Sequence, residues 1–438
     1  MRSNSKILLQ RNLRAPSRAT EPILERAALS SFHYNYAESL LLLYGRVLTL
    51  TYKPARGFHT CKVLSPPSAN FYPWCRYLYL SSYLWSIPKR SPRTFSQWSH
   101  FGHLLHARLA GCKSLRDAIM NMNAASNRLY HLGVTPVPRS TVADANNERP
   151  YAFFETLFGE LYTRCLSQAP KHKFSFENKL FRLDASVIDL CLALFPWAKL
   201  QTAKGGIKMH TLIDHDGYLP AVVTVTEAKC HEVNVTKLLK LPKGAIVVFD
   251  RGYMDHTWFR QLCKSDVLIP RLKSNSRFRV LERNPVDRAT GVTSDQIIQV
   301  AEDEKALTLR RVGYLDQETG KCFEFLTNHM TLPARTIADI YKERRQVEIF
   351  FRFIKQNLKI KSLLGNSKNA VLSLVYVALI AYLLLAYQKF MSKIDLSLHY
   401  LARLVQRNLF LQGETLNLVD PPRQRLKSNN SRQLSLLV

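Results

Sequence analysis

Ile340–Leu358 reads IYKERRQVEIFFRFIKQNL. It holds no Gly and no Pro and is dense in Glu, Lys, Arg and Gln, so it reads as one long helix. At about 100° per residue, with Glu348 set at zero, Tyr341, Arg344, Arg352 and Lys355 all fall within roughly 40° of it. Val347, Ile349, Phe350, Phe351, Phe353, Ile354 and Leu358 fill most of the remaining circumference. Such a helix is buried on most sides and shows one charged strip. Two readings of the strip stand side by side. Arg344, Glu348 and Arg352, four residues apart, suit an ion-pair ladder on a solvated face. One acid held among bases also suits a metal ligand beside a phosphate track.

The spacing Y-x2-R-x3-E-x6-K, carried by Tyr341, Arg344, Glu348 and Lys355, resembles the YREK signature of insertion-sequence DDE transposases, the group typified by insertion sequence 4. The surrounding text, NHMTLPARTIADIYKERRQVEIFFRFIKQNLKI, is similar to that family well beyond the four positions. Arg345 departs from the pattern, standing where members commonly have Trp, which bears on local packing more than on chemistry.

Upstream, Phe181–Leu190 (FRLDASVIDL) alternates apolar and polar residues and is rich in β-branched types, so it reads as a strand. Asp184 interrupts it, and a carboxylate there is costly to bury unless it is paired or bound to metal. Lys208–Asp214 and Leu219–Thr226 are two more strands, joined by Asp214-His215-Asp216-Gly217, in which His215 and Asp216 read as turn formers. Asn234–Leu241 reads as a short helix. Ala245–Phe249 (AIVVF) is a fully apolar strand that ends in Asp250-Arg251-Gly252-Tyr253. An acid at the carboxyl end of a buried strand is where α/β proteins put chemistry. Three antiparallel strands, a helix and a further strand are the opening order of the ribonuclease H-like fold. The resemblance implies a first acid on strand one, a second after strand four and a third on a later helix, and Asp184, Asp250 and Glu348 fall at those places. The expected class is α/β, a ribonuclease H-like catalytic core with a β-rich insertion and an N-terminal helical domain.

The insertion is expected between Asp250 and Glu348. Val267–Leu272, Arg277–Leu281, Gln296–Val300, Leu307–Tyr314 and Cys322–Leu326 read as strands. Lys273, Arg277, Arg279, Arg310 and Arg311 lie on or beside them, suited either to DNA backbone contacts or to charged outer faces. Before the core, Phe95–Met122 repeats at helical spacing, with Gly111 as a break and Ser114 as a cap. Ser140 can cap a short helix, Thr141–Glu148, and Phe153–Gln168 is a further helix. Helix, turn, short helix is compatible with DNA contact, although an ordinary helical bundle fits the pattern too. The division expected is 1–90 atypical basic extension, 91–172 helical DNA-binding domain, 173–255 first part of the core, 256–332 insertion, 333–412 C-terminal helices of the core, and 413–438 basic tail.

Charge and cysteine bound the partners. The 438 residues carry 62 Lys+Arg against 33 Asp+Glu, a net charge of +29, which argues for a polyanionic partner such as nucleic acid. The eight Cys form no CxxC pair and no zinc spacing with His, so they read as scattered reduced residues of a cytoplasmic protein. Ala370–Tyr387 (AVLSLVYVALIAYLLLAY) approaches the length of a membrane span. It follows a highly charged helix and reads as a core helix, without a membrane partner.

Phosphodiester cleavage needs a nucleophile, charge stabilisation and an activated leaving group, and two Mg²⁺ ions about 4 Å apart supply all three. The resemblance implies that Asp184 bridges the ions, Asp250 and Glu348 each hold one, and Mn²⁺ can substitute. It further implies that Arg344 and Lys355 hold phosphates and that Tyr341 stacks on or hydrogen-bonds a nucleotide. The partner it implies is double-stranded DNA, both element ends and target, with a homodimer expected because two ends must be paired. The implied sequence is strand cleavage at the ends, a hairpin formed and reopened, and joining to target. The alternative is a transposase-derived DNA-binding protein without catalysis.

Overall fold

In the computed structural model of the chain, residues 95–409 are described, apart from short stretches at 130–132, 191–194, 196, 198, 202–203, 231, 237–238, 240, 254–257, 259, 261–262, 264–266, 273–276, 301–306, 363–364 and 393–395. The expected basic extension and basic tail lie outside the described residues.

The centre is a mixed sheet. Strands β1 (Leu180–Leu190), β2 (Lys199–Gln201), β3 (Lys204–Asp214), β4 (Leu219–Glu227), β5 (Ile246–Phe249) and β6 (Val267–Pro270) form it. β3 pairs antiparallel with β1, β2 and β4, and β5 pairs parallel with both β1 and β6. The hairpin from β3 to β4 turns at Gly217 (φ 67°) and Tyr218 (φ 54°). Asp214 and Asp216 both accept from Lys179 there. His215 and Asp216 are therefore buried turn residues, as their sequence context predicts.

A second, antiparallel sheet holds β7 (Phe278–Arg283), β8 (Val292–Val300), β9 (Leu307–Asp316) and β10 (Lys321–Thr327). It corrects two expectations. The strand read at Val267–Leu272 belongs to the central sheet, because its short apolar run pairs with β5; only its end, Arg271, bridges to Phe325 of the second sheet. Arg310 and Arg311 are not free for DNA. Arg310 is held by Asp295 and by two carbonyls. Arg311 is held by Gln296 and Glu324. Arg277 and Arg279 remain exposed.

Helices cover the central sheet. They are α1 (Gln97–Leu109), α2 (Leu115–Ala124), α3 (Arg139–Glu148), α4 (Ala152–Gln168), α5 (Glu232–Thr236), α6 (Ala334–Lys342), α7 (Arg344–Gln356), α8 (Lys368–Ser392) and α9 (Leu398–Arg407). Ser96, Ser114 and Ser397 cap α1, α2 and α9 through their hydroxyls. Ser140 does not cap α3; it lies inside the helix, which starts at Arg139 after Pro138. Among the described residues α8 is the one helix long and apolar enough to cross a membrane, and 94% of its apolar window is buried inside the protein. Its residues share one hydrophobic cluster with α1–α4, α7 and α9. The N-terminal helices thus pack into the core rather than standing apart. Arg108, fully buried on α1, donates to Lys359 O at 2.8 Å and Ser362 O at 2.9 Å, just beyond the end of α7.

Candidate active site

The stretch read as one helix is two. Glu343 (φ −63°, ψ 0°) interrupts it, and Gln346 N donates to Glu343 O in a tighter turn. The Glu343 carboxylate is drawn aside by the Tyr218 hydroxyl at 2.9 Å and by Lys173. Periodicity does not reveal such a break, because Glu is a good helix former and its partners lie more than a hundred residues upstream.

The break sets Tyr341 apart from the strip. Its ring is 5% exposed and packs on Phe325 at 4.6 Å between centroids, with the Arg182 guanidinium 5.1 Å from its centroid. Of the two expected roles for Tyr341, stacking on a nucleotide or hydrogen-bonding one, the enclosed ring leaves its hydroxyl for the second. That hydroxyl accepts from Arg344 Nη1 at 3.3 Å. Arg182, buried two residues before Asp184 and outside the motif spacing, also reaches Tyr341 O at 3.5 Å. Burial pulls its guanidinium down to about 10, still charged at neutral pH. The available signal was an arginine in an otherwise apolar strand start.

The three acids each approach one arginine. Register pairs Leu183 with Phe249, so Asp184 and Asp250 follow side by side where the parallel strands β1 and β5 part. α7 lies across β1 and delivers Glu348. Arg344 stands among them: Nη1 is 3.4 Å from Asp250 Oδ2, Nε 3.6 Å from Glu348 Oε1, and Nη2 4.0 Å from Asp184 Oδ2. Of the ladder Arg344–Glu348–Arg352, the first rung is present; among the described residues no ion pair joins Glu348 to Arg352, and the Arg344 guanidinium also meets two strand acids. Burial raises the Asp184 carboxyl above the usual range, opposed by Arg344 and by the Ala185 N–H, which donates to Oδ1 at 2.9 Å. Burial works to lower Arg344, and the Tyr341 hydroxyl with the charges of Asp184 and Asp250 outweighs it, leaving the group above its ordinary value. Lys355 lies farther along α7. Burial lowers its ammonium, aided by Lys361 and opposed by Asp189.

Three carboxylates around a cation are the donor set of a hard divalent ion. Among the described residues, no three His, Cys, Asp or Glu side chains close on a single point. The acids meet at the guanidinium instead, which keeps like charges apart and supplies the positive charge they require. On the other flank of α7 lies a cleft of about 940 Å³, edged by Lys171, Lys173, Arg352 and Lys389 and floored by Phe353 and Phe390.

A family model described as "Transposase DDE domain" matches residues 177–384, and a second, described as a domain of unknown function (DUF4372), matches residues 88–135. The chain is 32% identical over 289 residues to y4zB of Sinorhizobium fredii, named as a transposase, covering 64% of this chain and 80% of that protein. It is 28% identical over 301 residues to a protein of Geobacillus stearothermophilus named as the transposase for insertion sequence element IS5377, covering 67% and 77%. Among solved structures it is similar to a piggyBac transposase in a synaptic complex with hairpin DNA, over 75% of this chain and 73% of that one, at 11% identity and a TM-score of 0.38, too loose a likeness to carry weight. Identity at this level across most of a relative's length, with a domain match that spans all three acids, means that the chain belongs to the DDE-domain transposases of insertion sequences.

Proposed function

We propose that this transposase cleaves DNA at the ends of its insertion sequence and transfers those ends into target DNA, with Asp184, Asp250 and Glu348 as metal ligands. One observation carries the reading: acids from β1, the end of β5 and α7 gather within 4.0 Å of a single cation. The family's chemistry depends on divalent metal, and the residues suit it, being hard oxygen donors of which Asp184 is largely buried. Two Mg²⁺ ions, replaceable by Mn²⁺, would activate the attacking oxygen and stabilise the departing one.

The protein's own groups orient the DNA. Arg344, once its carboxylates are otherwise neutralised, presents a planar fork to the scissile phosphate. Tyr341 aims that fork from its enclosed position, contributing a hydroxyl rather than a stacking face. Lys355 supplies a point charge about three turns beyond Arg344, and the Lys171, Arg352 and Lys389 edge adds positive charge on the other flank of α7. Hydrolysis frees a 3′-hydroxyl, which then attacks a second phosphodiester, so bonds broken equal bonds formed in the joining step. Pairing two ends calls for a homodimer acting on double-stranded DNA in the cytoplasm.

The test is cleavage of linear DNA carrying the element's ends, with and without Mg²⁺. The reading requires metal-dependent nicking at the ends by wild type and none by Glu348→Gln at equal DNA affinity. Equal binding with no cleavage by either protein would instead identify a binding protein derived from a transposase.

A further inference from the structure

Beyond Asp250 the chain makes one tight turn, Arg251–Tyr253, closed by Tyr253 N donating to Asp250 O at 3.0 Å. Gly252 in that turn is not among the residues with positive φ, so backbone conformation does not demand a glycine. Space does. A Cβ at 252 would lie 1.9 Å from Glu232 Oε2 and 3.0 Å from Glu232 Cδ. The Glu232 carboxylate, at the first position of α5, rests directly on the backbone of the turn. From β3, Lys208 Nζ comes within 3.6 Å of Glu232 Oε1 and donates to Cys230 O at 3.4 Å. The side chains of Lys208 and Glu232 are 16% and 27% exposed, so the pair is partly sheltered from solvent. On the inner side of the turn, the Tyr253 hydroxyl lies 3.0 Å from His210 Nδ1, and His210 Nε2 lies 3.1 Å from Thr226 Oγ1.

We propose that Glu232 is a positioning residue for Asp250. Tethered by Lys208, its carboxylate presses on Gly252 while Tyr253 is anchored to His210, and the turn between them has one place to sit. Asp250 is thereby held at the end of β5 beside Asp184. The inference rests on the reading of Asp250 as a ligand at the reacting centre. The length of the Glu232 side chain and its charge both matter, the first to reach the turn and the second to be held by Lys208.

The experiment compares full-length wild type with Glu232→Ala, Glu232→Gln, Gly252→Ala and the double variant Glu232→Ala/Gly252→Ala. It reads end-cleavage kcat with Mg²⁺, KM for DNA, Tm, and amide hydrogen exchange across 249–253. Glu232→Ala should lower kcat by about 10–100-fold, the usual size for groups supporting metal ligands. KM and Tm should stay near wild type, and exchange in the turn should speed up. Glu232→Gln should show a smaller loss. Gly252→Ala should mimic Glu232→Ala, because the new methyl pushes a flexible carboxylate aside, and the double variant should be no worse than either single one. Unchanged exchange in Glu232→Ala, or losses that add in the double variant, would overturn the proposal. Failure of the functional reading looks different: wild type and Asp250→Asn would both be inert, while exchange across the turn would still decide the role of Glu232.

Discussion

Arg310 and Arg344 sit in the two sheet regions and are held in opposite ways. Arg310, on β9, is 6% exposed and makes four short bonds: 2.8 and 2.7 Å to Asp295, and 2.8 and 2.6 Å to Met330 O and Leu332 O. Arg344, at the start of α7, is 30% exposed, and its nearest acceptors, the Tyr341 hydroxyl and Asp250, stand at 3.3 and 3.4 Å. Its Nε is buried without a hydrogen-bond partner. A bidentate pair with its remaining donors on carbonyls is saturated and has nothing left for a ligand. An arginine spread loosely over three acids, with its Nε unpaired, is unsaturated. The first arrangement holds the loop after β10 to the second sheet, and the second leaves a guanidinium donor unpaired.

The strongest way to break this contrast is through the acids. Asp184→Asn, Asp250→Asn or Glu348→Gln should each cut metal-dependent cleavage by about 10³-fold or more, since the ions supply several kcal/mol of stabilisation at the transition state. Asp295→Asn, measured on its folded fraction, should retain cleavage. Comparable losses from both sets would erase the distinction.

Stability sharpens it from the other side. Arg310→Met strands Asp295 in a buried position and should cost about 3–5 kcal/mol in urea unfolding, the range for breaking a buried pair. Arg344→Met should cost no more than about 1 kcal/mol, as for long, half-exposed contacts, while cleavage and DNA binding fall. If the two substitutions cost the same, Arg344 is as structural as Arg310.

The smallest effect is one of pH. Burial holds the Asp184 carboxyl above its ordinary value. A carboxyl raised on folding binds its proton more tightly in the native state, so ionising it lowers stability as pH rises through the window above the unfolded value. Asp184→Asn should therefore raise Tm slightly at pH 7, and the gain should shrink as pH is lowered toward about 4. Asp295→Asn should lower Tm. A fall in Tm for Asp184→Asn at neutral pH would mean that Arg344 already satisfies this carboxylate.

Legibility in the sequence followed the range of each interaction. β1, β3, β4 and β5 were readable from alternation and apolar runs, and α8 from an unbroken apolar run whose burial the flanking charged helix suggested. The break at Glu343 was not, because the groups that draw Glu343 away are Tyr218 and Lys173. β6 could not be assigned to its sheet, since a four-residue apolar run carries no information about its partner. Arg310 and Arg279 look alike in the text, and only the neighbouring strands separate the buried pair from the exposed cation. Glu232 carried no motif, and its contact with the Asp250 turn joins segments that nothing in the text links.

Local spacing and residue type determined the segments: a charged helix around Glu348, an acid on the first strand, an acid closing an apolar strand, and a strong positive charge, while the kind of protein came from what those segments resemble. These are properties of short segments, set by side-chain periodicity and the cost of burying a charge. Which cation stands among the acids, which face of Tyr341 is covered and what presses on the Asp250 turn were decided only in the folded molecule, because each depends on atoms brought together from strands and helices far apart in the chain.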